Sequence, residues 1–208
     1  PIFLRTTTSR FNLANLMRAH LYTSLYASLL HHGRAHAIKL PSLRLAESGG
    51  MFVNSWLAED FRAWFGLPIT PVWGSTETTG IALVNQDGAG SRPGAMGHAC
   101  PYYEVRVVRE DGEPADPEEV GELALRGPGV CCGYFQDPAA TARQMRDGWF
   151  YPGDLVRQDR DGFCFFVSRK TGMMKVAGIK VFPTEIEDVL SRHPDIQEVA
   201  VVKAADAL

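Results

Sequence analysis

Short apolar runs on either side of one amphipathic run constrain this chain most. Residues 43–46 read as a strand, Gly49-Gly50 as the turn after it, residues 54–65 as a helix closed by Gly66, and residues 69–73 as a second strand. A strand, a helix and a strand in so short a span leave only a crossover connection, so the two strands are predicted to lie parallel in one sheet. Upstream, Leu13, Leu16, Met17, Leu21, Leu25 and Leu29 recur at the spacing of one helical face. That spacing predicts a helix over 12–32, with Asn12 as N-cap and Gly33 just past its end, packed on the sheet. The fold class so defined is α/β.

After about residue 82 the pattern becomes short strands broken by turn residues, over 103–109, 121–126, 150–157 and 163–167, as in a small antiparallel subdomain. The turn Asp159-Arg160-Asp161-Gly162 should fold 154–158 against 163–169 as a hairpin. Asp154 and Arg169 would then share its open end. Beyond Arg169, Lys170-Thr171-Gly172 and a Lys-Val-Ala-Gly-Ile-Lys turn suit a hinge. Thr184 and Glu187 have the spacing of a capping box for a helix ended by His193-Pro194, and 198–203 reads as a strand. No internal repeat or low-complexity tract interrupts this order.

The 208 residues, 45% hydrophobic, suffice for one substantial core or for one domain and part of another. A net charge of −3 gives no electrostatic reason to expect nucleic acid or an anionic membrane as partner. Cys100, Cys131, Cys132 and Cys164 lack metal-ligand spacing, and the adjacent pair could form only a strained disulfide. Buried, reduced thiols and a cytoplasmic location are expected. No secretory-type leader heads the chain, and Arg18 and His20 exclude a membrane span from the expected first helix. The chain opens on Pro1-Ile2-Phe3-Leu4 and stops at Leu208, which reads as a segment of a longer protein.

The residues that carry chemistry lie where the strands end. The run through Val72 and Trp73 empties into Gly74-Ser75-Thr76-Glu77, which offers a hydroxyl for phosphate beside a carboxylate for Mg²⁺. Asp154 can accept from both hydroxyls of a ribose, and the Arg169 guanidinium supplies a fixed fork of donors for ribose or phosphate oxygens. Charge, hydroxyl and aromatic ring together suit an adenylate. In open α/β sheets ligands gather beyond the carboxyl ends of the strands, where both Gly49-Gly50 and the Gly-Ser-Thr-Glu loop belong. Read singly, each feature has an ordinary alternative. The loop could be a polar turn, Asp154 with Arg169 a surface salt bridge, and the double glycine a plain strand-to-helix turn. His31, His32 and His98 have no indicated nucleophile or metal partner.

The ordered set is more specific than its members. Gly49-Gly50, the loop from Trp73 to Gly80, Gly121-Glu122-Leu123 to Gly127-Pro128, and Gly133-Tyr134 come first. Asp147-Gly148-Trp149-Phe150, Gly153-Asp154-Leu155, Asp161-Gly162, Arg169 and the Gly178 to Glu187 segment follow. Over roughly residues 41 to 203 this order resembles the adenylate-forming superfamily of acyl-CoA synthetases, peptide-synthetase adenylation domains and luciferases. The resemblance implies an enzyme that activates a small carboxylic acid with ATP, through an acyl-AMP, and passes it to coenzyme A. Residues 1–168 would be the C-terminal part of the large AMP-binding domain, α/β over 1–82 and a β-subdomain over 83–168. Residues 169–208 would be the hinge and the beginning of a mobile domain.

By the same resemblance Thr76 would bind the α-phosphate, Glu77 would hold Mg²⁺ directly or through water, and Trp73 would lie against adenine, with Gly74 and Ser75 completing the loop. Gly49-Gly50 would line the acyl pocket and the adenine edge, Asp154 and Arg169 would grip ribose, Thr171 would be the hinge, and the Gly178 loop would help admit the thiol. The chain departs from the family's pattern in places. Phe166 stands where some relatives have a Tyr that reaches ribose, Pro152 and Ser168 replace a usual Thr and Gly, and Met51-Phe52-Val53 replaces small residues near the pocket. Neither the family's glycine-rich phosphate loop nor its adenylation lysine is found, so this chain alone is expected to make no acyl-AMP. A domain that loads a carrier-protein pantetheine, or a nucleotide-binding segment without catalysis, are the alternatives.

Overall fold

The computed structural model describes residues 18–50, 53, 55–86, 91–176, 179–191, 193, 195–196 and 199–204. The chain divides between Pro71 and Val72 into two compact units.

In the first unit, β1 (Arg18–Leu21) and β2 (Leu45–Ser48) pair in parallel, and β2 pairs in parallel with the opening of β3 (Ile69–Ser75). Helices α1 (Thr23–Ala35) and α2 (Ser55–Phe65) make the two crossovers. The strand–helix–strand spacing therefore has the predicted consequence, with β2 starting at Leu45 rather than at residue 43. Tyr26 and Leu30 of α1 meet Leu57 and Phe61 of α2 over Ala19, Ala46 and Ile69 of the strands. Tyr26 sits edge-on to Phe61 with ring centroids 5.2 Å apart, and its hydroxyl lies 2.9 Å from the carbonyl oxygens of both Ala19 and Glu47. A buried phenol needs a polar partner, and this one ties the helix to two strands.

The helix expected over 12–32 is not the one that forms. Residues 12–17 lie outside the described residues, Arg18–Leu21 is strand, and the helix runs on to Ala35. The stripe of Leu21, Leu25 and Leu29 is not the buried one: Leu25 is 45% exposed, while Thr23, Tyr26, Leu30 and Gly33 are buried. Gly33, expected beyond the helix, lies inside it against Phe65, where a Cβ would come within 2.9 Å of the ring. Pairing with β2 along the whole of Arg18–Leu21 and the grip of Arg18 on the Glu47 carboxylate outweigh a local helical spacing.

In the second unit the rest of β3 pairs antiparallel with β4 (Gly80–Val84), and β4 with β5 (His98–Ala99). Strands β6 (Glu104–Val108), β7 (Val120–Arg126), β8 (Met145–Arg146), β9 (Trp149–Phe150), β10 (Asp154–Gln158) and β11 (Cys164–Arg169) form one antiparallel sheet. Its order is β11-β10-β7-β9-β8, with β6 also on β7. Helix α3 (Pro138–Gln144) precedes β8. Leu83, Leu123, Leu125, Phe150, Val156 and Cys164 are central to the core. The expected hairpin forms: the Asp159 carboxylate accepts from the backbone N–H groups of Asp161 and Phe163, and Asp154 faces Arg169 across the ladder. The strand expected over 150–157 is divided, because Pro152 has no N–H to give a ladder and Gly153 turns at φ +81.

Hairpin β12 (Met174–Val176) with β13 (Ile179–Val181) and helix α4 (Pro183–Leu190) follow. The expected capping box does not form. Phe182 is the N-cap, the Thr184 hydroxyl donates to the Val167 carbonyl, and Glu187 accepts from the Val201 N–H at 2.8 Å. Both side chains find tertiary partners in preference to the local pair. Residues 199–203 form no strand, and residue 198 lies outside the described residues. All four cysteines are free thiols, but only Cys164 is buried, so burial was expected wrongly for Cys100, Cys131 and Cys132. Among the described residues no helix is long and apolar enough to cross a membrane.

Candidate functional site

The second unit carries the site, and a glycine starts it. The β3–β4 register shifts between Trp73 and Gly74, bringing the Gly80 carbonyl across Gly74; a Cβ there would lie 1.9 Å from that oxygen. Only glycine fits such an approach. The chain then enters a 3₁₀ turn, Thr76–Thr78, locked from within by the fully buried Thr78, whose hydroxyl accepts from the Ser75 N–H at 2.9 Å. Thr79 follows in the left-handed region at φ 53 and donates its hydroxyl to the Gly129 carbonyl at 2.6 Å. The Cys131 N–H donates to the Glu77 carbonyl at 2.8 Å, and the Tyr103 hydroxyl to the Thr78 carbonyl at 2.5 Å. The turn is thus clamped along its backbone, leaving Thr76 exposed and Glu77 half-buried.

Around Asp154 three of the expected residues converge. Trp73 Nε1 donates to Asp154 Oδ2 at 2.9 Å, and Arg169 Nε lies 2.9 Å from Oδ1. Asp154 is only 1% exposed, whereas the Arg169 side chain is 62% exposed and also donates to the Pro152 carbonyl at 3.2 Å. Burial pushes the Asp154 carboxyl above its usual range, against the Arg169 charge and the Trp73 hydrogen bond. Oδ1 touches the guanidinium without a hydrogen bond of its own, a buried acceptor still open. Oδ2 is engaged by Trp73 and Oδ1 by Arg169, so a ribose would share each oxygen with a protein donor through its remaining lone pair.

Glu77 has a partner that sequence reasoning did not assign. The Tyr134 hydroxyl donates to Glu77 Oε1 at 2.7 Å and also meets Gln144. Burial would raise the Glu77 carboxyl, but hydrogen bonds led by that from Tyr134, together with the charge of Arg169, hold it below the usual carboxylate range. The phenol is pushed up to about 12, by burial first and then by its bond to Glu77. Gly133-Tyr134 was visible as a motif, yet nothing in the spacing of residues 77 and 134 links them. Among the described residues no three His, Cys, Asp or Glu side chains cluster as a metal cage. A lone carboxylate still fits Mg²⁺, which keeps several waters and takes phosphate oxygens.

Residues 15–135 match the family model described as AMP-binding enzyme. The chain belongs to the AMP-binding enzyme family. It is 37% identical over 179 residues to a long-chain-fatty-acid–CoA ligase of Salmonella typhimurium, covering 86% of this chain and 32% of that protein. Among solved structures it resembles the anthranilate CoA ligase AuaEII in complex with anthranoyl-AMP, with TM-score 0.84, 28% identity and coverage of 92% and 37% of the two chains. It also resembles the o-succinylbenzoate coenzyme A synthetase MenE of Bacillus subtilis in complex with ATP and magnesium ion, with TM-score 0.83, 27% identity and coverage of 95% and 43%. The chain spans about a third of the length of the curated relatives it matches.

The AMP-binding match ends before Asp154 and Arg169, and the Trp73 hydrogen bond joins them to it. Phe166 packs, partly buried, on the second unit's core. Thr171 is exposed in a turn in which the Gly172 N–H closes on the Arg169 carbonyl at 2.9 Å. Gly49 and Gly50 follow β2 in the first unit; Gly50 has φ +80, and a Cβ there would lie 2.7 Å from the Tyr22 ring. Met51, Phe52 and Gly178 lie outside the described residues.

Proposed function

We propose that this chain is the nucleotide-holding part of an AMP-forming acid–thiol ligase. A carboxylate oxygen of the acid attacks the α-phosphorus of ATP, and the bond to pyrophosphate breaks with the electron pair leaving on pyrophosphate. The thiol of coenzyme A, its proton lost to solvent, then attacks the acyl carbon, and AMP departs. The observation that carries this reading is the Asp154 cluster. Asp154 Oδ1 is buried with only the ion pair to the exposed Arg169 guanidinium at 2.9 Å and no aligned hydrogen bond, so it keeps lone-pair capacity for a donor such as a ribose hydroxyl.

In this reading Asp154 Oδ1 takes a ribose hydroxyl, and Arg169, mostly exposed, has room to turn from Asp154 toward sugar or phosphate. Trp73, its N–H held by Asp154, offers the ring face to adenine. Thr76 offers its exposed hydroxyl to the α-phosphate. Magnesium, held by Glu77 directly or through water, would neutralise charge on the phosphate oxygens. Gly49-Gly50 would line the acyl pocket, Thr171 would be the hinge between 1–168 and 169–208, and Gly178 would serve the thiol step. Coenzyme A is the acceptor proposed, in the cytoplasm, because the named relatives are CoA ligases; nothing comparable supports a carrier protein. Those relatives name both aliphatic and aromatic acids. Acid-dependent exchange of pyrophosphate into ATP by the full-length protein is the test. No exchange with any member of a panel of fatty and aryl acids overturns the reading.

A further inference from the structure

Glu77 is held twice by the loop that ends at Tyr134. Its carbonyl accepts from the Cys131 N–H at 2.8 Å, and its Oε1 accepts from the Tyr134 hydroxyl at 2.7 Å. Tyr134 is itself fixed from α3. Its N–H donates to Thr141 Oγ1 at 2.9 Å, Gly133 packs on the same Thr141, and its hydroxyl stands against Gln144. The helix is anchored in turn by Asp137, which accepts from the Ala140 N–H at 2.8 Å, with Pro138 in its first turn.

The phenol is not needed to staple this loop to the turn. The bonds from the Thr79 hydroxyl to the Gly129 carbonyl and from the Cys131 N–H to the Glu77 carbonyl already do so. What the phenol adds is direction. A glutamate on a short turn has three rotors, and pinning one carboxylate oxygen sets where the other points. We propose that Tyr134, backed by Gln144 at the end of α3, is a positioning residue that aims the Glu77 carboxylate at the metal-bound nucleotide. The inference rests on the proposed role of Glu77.

The experiment compares Tyr134→Phe with Glu77→Gln in the full-length protein, using Mn²⁺ with ATP as the probe and its electron paramagnetic resonance signal as readout. KM for ATP and KM for the acid are measured beside it. Tyr134→Phe is expected to weaken Mn²⁺ by about 10- to 100-fold, the usual effect of removing a partner that orients a metal ligand. KM for ATP rises with it and KM for the acid stays unchanged, a split that general loosening of the fold would not produce. Glu77→Gln is expected to abolish the bound signal. If Glu77→Gln abolishes it and Tyr134→Phe leaves it intact, the positioning role falls and the Glu77 assignment survives. If Glu77→Gln binds Mn²⁺ as tightly as the unaltered protein, both fall. Should Tyr134→Phe not fold, Gln144→Met is read against the same outcomes.

Discussion

Asp154 and Glu77 are two carboxylates under the influence of one guanidinium, that of Arg169, yet their acidities move in opposite directions. At Asp154 the surroundings are an indole N–H and the guanidinium, and little water reaches the group, so desolvation prevails. At Glu77 water has partial access, burial is weaker, and hydrogen bonds led by that of Tyr134 prevail. The comparison teaches that one cation pulls both carboxyls down alike, and that the balance of desolvation against hydrogen bonding decides the net direction at each. One arm is a buried acceptor that suits neutral hydroxyls. The other is an accessible anion that suits a metal ion.

The change expected to break both arms at once is Gly74→Ala. A Cβ 1.9 Å from the Gly80 carbonyl cannot be absorbed by a side-chain rotation, so the bulge between Trp73 and Glu77 has to open. A loss of about 3 kcal/mol, the upper end of overpacking effects, is expected in urea unfolding. A loss below about 1 kcal/mol would show that the crossing relaxes easily.

Asp154→Ala in the full-length protein should break one arm only. Loss of an acceptor in a charged hydrogen-bond site is expected to cost ATP binding about 1.5 to 3 kcal/mol, read as a higher KM for ATP with KM for the acid unchanged. Equal KM values for ATP before and after would remove Asp154 from the nucleotide site. Trp73→Phe retains a ring and deletes only the N–H that reaches Asp154. It should raise KM for ATP in the same direction by a smaller amount, about 1 kcal/mol. An effect larger than that of Asp154→Ala would mean that the indole acts through something other than Asp154.

The smallest expected effect has opposite signs in the two arms. Folded Asp154 holds its proton more tightly than the unfolded chain does, so its ionisation takes stability away as pH rises from the ordinary carboxylate range through its raised value. Folded Glu77 holds its proton less tightly, so its contribution is present above the ordinary range and is lost as pH falls through its lowered value. Asp154→Asn should therefore flatten the stability profile above the ordinary carboxylate range, and Glu77→Gln should flatten it below. Urea unfolding at a series of pH values reads both. Slopes that change in the same pH window in the two variants would dissolve the contrast.

Much of the second unit was legible in order and spacing. The Asp159 to Gly162 turn sets the pairing from Gln158 with Cys164 to Val156 with Phe166, and a one-residue register shift between Leu155 and Val156, not legible in the sequence, brings Asp154 opposite Arg169. The parallel pairing of β2 and β3 follows from a crossover that short-range geometry cannot avoid. Periodicity was a poorer guide near residue 20, where a helical spacing of leucines lost to strand pairing with β2. At Thr184 and Glu187 a local capping pair lost to the Val167 carbonyl and the Val201 N–H.

The ordered motifs, readable without coordinates, determined the family and the residues to suspect. Tertiary structure alone decided how they meet: that Trp73 donates to Asp154 across 81 positions and Tyr134 to Glu77 across 57. Hydrogen bonds depend on ångström-scale distance and angle, and sequence separation carries neither once the chain has turned several times between the partners. The opposed acidities of the two carboxylates have the same origin, since burial and neighbouring charge exist only after the sheet has formed.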